Sequence, residues 1–232
     1  MAMKTIGLVG GMTPESTRVY YDLLIQGARQ PGRDPLRNPE IVIFSLNLTE
    51  VVQRQREGTR ADVVHYLAAI LERLGAAGAE VGALAANTPH AYLDEIRAAT
   101  SLPLVRIVTA TRDAAQNLEL KRALLLGTRM TMESEMYPRE FAEAGIEIVV
   151  PGDDDREFLD EVIYGELALG TVRPEVRQRC LKICERHVGN DGIDSVILGC
   201  TELPLVISSD DLSIAVFDTT VVHVEANLAA AS

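Results

Sequence analysis

Short apolar runs of three to five residues, set between longer stretches of helical periodicity, constrain this chain more than any other feature. They fall at 6–9, 41–45, 81–85, 104–108, 123–126, 146–150, 195–198 and 215–217. Runs of this length, bounded by Gly, Pro or polar residues, read as buried strands. Between them apolar residues recur at helical spacing. Over 61–77, Val63, Val64, Leu67, Ile70, Leu71 and Leu74 line one side. Over 13–30, Thr13 supplies a cap, Pro14 takes the first helical position and Ser16 lies in the first turn. Further helices are expected over 89–99, from about 131, over 155–188 and over 220–231. Strands regularly separated by helices are joined by crossovers, which gives mostly parallel sheets with helices on both faces. The fold class is therefore α/β.

The alternation carries an internal echo. Met12-Thr13-Pro14-Glu15-Ser16 returns as Met130-Thr131-Met132-Glu133-Ser134, 118 positions on, and both follow an apolar run and a glycine. A weaker echo aligns 81–89 with 195–202, with Ala86 and Cys200 114 positions apart. Two nearly equal offsets point to two similar α/β halves, related by a pseudo-two-fold. At 232 residues the chain suffices for two small cores. The first α/β domain is expected over 1–103 plus 214–232, and the second over 104–213.

Lys and Arg number 22 against 34 Asp and Glu, a formal charge of −12. Duplex nucleic acid and anionic lipid both select a basic surface, so no nucleic acid and no membrane is expected as a partner. The first apolar run is interrupted by glycine too early for a signal core, and no run reaches the roughly 20 residues of a membrane helix, so a cytoplasmic location is expected. Three cysteines, Cys180, Cys184 and Cys200, make no disulfide framework. Cys180 and Cys184 share one helix face and read as packing residues. His187 alone does not complete a ligand set with them, so no metal is expected.

Ligands of parallel sheets bind beyond the carboxyl ends of the strands, and several loops there carry chemistry. The first, Gly10-Gly11-Met12-Thr13-Pro14, offers backbone donors suited to a small carboxylate. It lacks the spacing of a nucleotide cradle. The second is Asn87-Thr88-Pro89-His90, with Thr88 as the expected helix cap and His90 as a surface residue. The third, Gly127-Thr128-Arg129-Met130-Thr131, offers two hydroxyls and one guanidinium. In the fourth, Gly199-Cys200-Thr201-Glu202, a thiol stands between a strand and a helix start, where terminal N–H groups lower a thiol pKa. After the last strand, Asp218-Thr219-Thr220-Val221-Val222-His223 places an imidazole in reach of Asp218 or Glu202, from which it would tune the thiol. A second substrate carboxylate would call on Arg129, Arg37 or Lys4.

Taken in order, Gly10–Thr17, Asn87–His90, Leu126–Glu133, Val150-Pro151, Gly199–Glu202 and Phe217–His223 resemble the aspartate/glutamate racemase family, in the amino-acid racemase branch that needs no pyridoxal phosphate. The resemblance runs over nearly the whole chain. It implies two similar α/β domains with the active site in the cleft between them, a homodimer, no cofactor, and a small amino-acid or carboxylic-acid substrate. It also implies two thiols working on opposite faces of the substrate α-carbon. Cys200 matches the second thiol as acid/base, whereas Ala86 stands where the first precedes Asn-Thr. Met12, Thr13, Asn87, Thr88, Thr128, Thr131, Thr201, Glu202 and His223 match the substrate-binding positions. The segment 34–40 departs from the family pattern. Three functions follow: a racemase or epimerase working with one thiol, a single-cysteine decarboxylase or isomerase like the arylmalonate decarboxylases of the wider superfamily, and a non-catalytic amino-acid binder.

Overall fold

A computed structural model describes residues 3–29, 36, 38–116 and 118–232. The chain divides into two compact units, Met1–Arg106 with His223–Ser232, and Ile107–Val222.

The first unit holds three parallel strands in the order β2-β1-β3: β1 (Ile6–Gly10), β2 (Ile41–Ser45) and β3 (Val81–Leu84). β1 and β3 are buried throughout, and β2 at the edge is partly exposed. Helix α1 (Pro14–Ala28) starts at a capping box, with Thr13 Oγ1 accepting from Ser16 N at 3.1 Å. Helix α2 (Leu48–Glu57) is capped by Asn47, and α3 (Arg60–Ala76) by Thr59 with Asp62. A 3-10 turn, Thr88–Tyr92, leads into α4 (Leu93–Ala98). One sheet face buries Leu67, Leu71 and Leu74 of α3 with Leu93 and Ile96 of α4. The other buries Tyr20 and Leu24 of α1 with Val224 and Ala231 of the last helix, α10 (Thr219–Ala231).

The second unit begins with α5 (Ile107–Gln116) and holds four parallel strands in the order β5-β4-β6-β7. These are β4 (Arg122–Gly127), β5 (Glu147–Val149), β6 (Ser195–Gly199) and β7 (Ala215–Asp218). Between β4 and β5 lie α6 (Arg129–Glu133) and α7 (Met136–Ala142). Between β5 and β6 lie α8 (Asp153–Gly165) and α9 (Pro174–Asp191). Cys180 and Cys184 are buried on α9 against Val176, Ile183 and Val196, and burial raises their thiols to about 11 and about 12. Both stay protonated, as packing residues do.

Several expectations are corrected. The run 104–108 is no strand: Leu104 makes an isolated bridge to Gly82, and the chain enters α5 at Ile107. Ile107, Val108, Thr111 and Ala115 are buried at helical spacing, so burial of one helix face overrides the β-branched composition. The boundary expected at 213/214 moves to 222/223, inside α10, because β7 pairs with β6 from Ser195↔Ala215 to Leu198↔Asp218. The single helix expected over 155–188 is two, separated at Gly170, whose φ of +71° ends a short 3-10 turn, and restarted by Pro174. Helix α2 was not foreseen, since its residues are mostly polar. Asn87, not Thr88, stands at the N-cap position before the 3-10 turn. The end of the 13–30 helix, at Gln30, lies outside the described residues, as do 34, 35 and 37.

Two histidines lie inside the first unit. His223 on α10 is fully buried; its Nε2 meets the Val105 carbonyl at 3.2 Å and its Nδ1 meets Tyr20 Oη at 2.8 Å. A carbonyl only accepts, so Nε2 carries the proton and Nδ1 accepts from the phenol. The ring of His90 stands edge-on to it at 5.2 Å and is also buried, which corrects the expected surface position. Burial holds His223 down to about 4, and burial followed by the neighbouring His223 holds His90 well below its ordinary value. Both rings are neutral in the fold, whereas an unfolded chain protonates them near 6.5. The stability they confer is present above 6.5 and is lost as the pH falls through about 4. The unfolding free energy from denaturant titration should therefore fall between pH 7 and 4, by on the order of 3 kcal/mol for His223 alone. A His223→Asn variant measured over the same range should show a flatter profile; an unchanged slope would contradict the assignment.

Gly11 has φ +83°, and a Cβ there would lie 2.2 Å from the Leu46 carbonyl oxygen. Gly145 has φ +72° with open space around it. Gly145→Ala should cost about 1 kcal/mol, the left-handed penalty alone. Gly11→Ala should cost at least about 3 kcal/mol in the same denaturation series. Equal costs would show that the Gly11 contact yields without effect.

Candidate active site

Parallel register gathers the strand ends of each unit. In the second unit Gly127 pairs with Gly199, and Leu198 with Asp218. Thr128 and Cys200 therefore each stand one residue past a paired glycine on neighbouring strands. The glycines are needed there: a Cβ on Gly127 would lie 3.0 Å from the Gly199 carbonyl oxygen. Thr128 caps α6, with Oγ1 3.3 Å from Thr131 N and 3.1 Å from Thr131 Oγ1, and both threonines are buried. Arg129 sends its backbone N–H to Asp160 at 2.7 Å and pairs its guanidinium with Glu133 at 3.2 Å.

Cys200 is 8% exposed, and its Sγ lies 2.9 Å from Glu202 Oε2. The Thr201 hydroxyl donates to the same oxygen at 2.7 Å, and Glu202 is buried. The thiol is pushed well above its ordinary value, first by burial and then by the carboxylate. The N–H groups of Thr201 and Glu202 do act in the opposite sense, as a helix start should, but they are outweighed. The lowered thiol pKa expected from its position is thereby corrected. So is the tuning role expected of His223, which bonds Tyr20 and Val105 instead. The thiol's partner is Glu202, two residues on, within the same tight turn. The Cys-x-Glu spacing was a signal available in the sequence.

Asp218, at the end of β7, accepts from Thr220 N at 2.8 Å and Val221 N at 3.4 Å, and burial raises its carboxyl. Thr219 Oγ1 donates to the Leu198 carbonyl at 2.8 Å, tying α10 to the end of β6.

In the first unit, Val9 pairs with Leu84, so the loops after β1 and β3 leave side by side. Ser16 Oγ lies 2.9 Å from the Thr13 carbonyl and 3.2 Å from the Ala85 carbonyl, bracing the two loops. Thr17 Oγ1 accepts from Gly11 N at 2.7 Å, and Ser16 Oγ from Thr13 N at 3.2 Å. The N–H groups of Gly11 and Thr13 are thus taken up within the loop and its helix start. Thr13 and Asn87 are buried, and Met12, Ala86 and Thr88 are half-buried. Lys4 lies at the other end of β1, with Nζ on the Ala230 carbonyl at 3.3 Å, so it does not serve these loops. Arg37 is outside the described residues. Among the described residues no cluster of His, Cys, Asp and Glu could hold a metal ion.

The sequence model of the Asp/Glu/hydantoin racemase family matches residues 9–227. A broad specificity amino-acid racemase of Bacillus subtilis is 23% identical over 93% of this chain and 92% of its own length. The crystal structure of an aspartate racemase homologue from Pyrococcus horikoshii superposes with a TM-score of 0.84 at 36% identity, covering 99% of both chains. The fold is shared with an aspartate racemase from Picrophilus torridus, at a TM-score of 0.74 and 22% identity over 98% of this chain and 92% of that one. With the family model matching nearly the whole chain and the fold shared with these structures, this chain belongs to the Asp/Glu/hydantoin racemase family.

Proposed function

We propose that this protein is a cofactor-independent amino-acid racemase or epimerase in which the Cys200 thiol is the acid/base at the substrate α-carbon. The observation that carries the reading is the Cys200 Sγ–Glu202 contact of 2.9 Å at the carboxyl end of β6. A buried thiol with a proton acceptor in contact is equipped to give and recover a proton. In this reading the hydroxyls of Thr128, Thr131 and Thr201 serve substrate binding in the second unit. Met12, Thr13, Asn87 and Thr88 serve it from the strand-end loops of the first. The substrate is a small amino acid. The reading carries with it the homodimer and cytoplasmic setting that the family resemblance implies. Exposed Val19, Tyr21 and Ile43 are apolar surface that would suit a dimer contact, and no described helix is long and apolar enough to cross a membrane.

The test is α-proton exchange in D₂O on separate enantiomers of a panel of amino acids, read together with optical rotation. Wild type should exchange the α-proton of at least one amino acid, and Cys200→Ala should lower the rate by about 100-fold or more. Exchange that persists in Cys200→Ala would remove the thiol from the chemistry.

A second reading is favoured by Ala86, whose methyl group has no proton to give or take. It is a one-sided enzyme, either a decarboxylase or an isomerase, in which the single thiol protonates a carbanion-like centre on one face. Under the racemase reading, Ala86→Cys should raise racemisation of aspartate or glutamate about tenfold or more. No gain with either substrate, together with exchange in one enantiomer without inversion, would select the one-sided reading.

A further inference from the structure

Edge strand β3 loses its outer neighbour just past Gly82. Gly82 N donates to the Pro103 carbonyl at 2.7 Å and Val105 N to the Gly82 carbonyl at 3.4 Å, after which the chain leaves for α5. In a continued parallel ladder the Val105 and Leu84 carbonyls would take the next two bonds, each from a strand N–H. Two imidazoles stand in for those donors. His223 Nε2 donates to the Val105 carbonyl at 3.2 Å. Burial keeps the His90 ring neutral, and against it works a hydrogen bond to the Leu84 backbone. A backbone group that favours a charged imidazole is an acceptor, so His90 donates to the Leu84 carbonyl. The two rings meet edge-on at 5.2 Å with an interplanar angle of 83°, and Tyr20 Oη holds His223 Nδ1 at 2.8 Å.

Leu84 and His90 bound the segment that carries Ala86, Asn87 and Thr88. The imidazole bond therefore closes this loop on itself, from the strand end to the 3-10 turn. His90 N adds a second tie, to the Asn87 carbonyl at 2.9 Å. At the start of the loop Ala85 N donates to the Val9 carbonyl at 2.9 Å, and the Ala85 carbonyl faces Ser16 Oγ at 3.2 Å. We propose that His90 is the positioning residue of this loop: its imidazole, packed on His223, replaces the missing strand N–H at Leu84 and so fixes Asn87 and Thr88 in the conformation that receives the substrate. The proposal rests on the reading of Asn87 and Thr88 as substrate-binding residues. His90 is itself 1% exposed and acts through the backbone. A loop ordered in advance spares the substrate the cost of ordering it, so the gain appears in binding.

A split between binding and turnover provides a readout that a merely structural role would not give. The α-proton exchange rate in D₂O is followed against the concentration of aspartate, or of the amino acid of the panel that wild type exchanges fastest. The variants are His90→Phe, which keeps a ring without a donor, and His90→Asn and His90→Gln, which set an N–H near the places of the two ring nitrogens. In His90→Phe the half-saturating concentration should rise about tenfold or more, with the maximal rate within about threefold of wild type. One of the two amides should bring half-saturation back to within about threefold of wild type. A lowered maximal rate at unchanged half-saturation would overturn the proposal, as would failure of both amides to rescue. Should the variants fail to fold, the nitrogen-15 spectrum of the His90 ring in wild type serves instead. One neutral tautomer with a slowly exchanging N–H supports the bond to Leu84, and mixed tautomers or a rapidly exchanging N–H overturn it. Failure of the racemase reading shows separately, as an absence of exchange in wild type. Amide-hydrogen protection over 85–92 then decides the positioning: its loss in His90→Phe with return in an amide variant supports it, and unchanged protection overturns it.

Discussion

Parallel strand pairing is the constraint on which the rest depends. Because every strand within a unit runs the same way, the carboxyl ends of all of them lie on one edge, and the intervening helices are the means of return. The strand ends are then brought so close that glycine is required where backbones and caps meet, at Gly10, Gly127 and Gly199. At Gly10 a Cβ would lie 2.5 Å from the Thr17 side chain, and at Gly199 2.9 Å from the Leu126 carbonyl. Each glycine is followed within a few residues by a polar side chain, so the backbone geometry alone assembles Thr128 beside Cys200 and Gly11 beside Ala86. The chemistry is placed by the sheet, and the helices supply the apolar covering that holds the sheet in register.

At the end of β6 two electrostatic effects compete. The start of a helical turn offers N–H groups that favour a thiolate. Burial and a carboxylate in contact favour the thiol. A turn of only three residues, Leu203–Leu205, presents few aligned dipoles, whereas the Glu202 charge acts at 2.9 Å in a place with little water. The nearer charge wins, and Cys200 rests as a protonated group. The same logic governs the histidines of the first unit. Desolvation is the largest effect on both; the Val105 carbonyl opposes it at His223, and the neighbouring His223, Arg106 and Arg97 add to it at His90, so both rest neutral.

The α/β class, the two halves and the motif loops were legible because they depend on local pattern: apolar run, glycine, cap. Thr13 is the clearest case, a cap readable from Thr-Pro-x-Ser and observed as one. What was not legible depends on partners distant in sequence. Ile107 and Val108 have strand composition and became helix because a face of α5 could be buried against Tyr137 and Phe141. β7 was assigned to the wrong half because its pairing with β6 is decided by the sheet and leaves no local mark. His223 reads from its motif as a tuner of the thiol, yet its ring partners, Tyr20 and Val105, lie 203 and 118 positions away. The direction of the Cys200 shift was missed for a different reason. Residue type and position announce the helix start, but only coordinates tell that Glu202 folds back onto the thiol.

The internal echo shows how two copies of one framework separate in chemistry. In both, a serine three residues after a threonine lies 2.9 Å from that threonine's carbonyl: Ser16 to Thr13, and Ser134 to Thr131. The brace is common, but the cap is not, since Thr13 caps α1 while Thr128, not Thr131, caps α6. Ionisable groups diverge more sharply. Around the end of β3 the histidine that follows Asn87 is drawn into the core and kept neutral, leaving an amide, a hydroxyl and a methyl group. At the end of β6 a buried thiol donates to a buried carboxylate at 2.9 Å. Of these two strand ends, that of β6 carries a thiol and a carboxylate in contact.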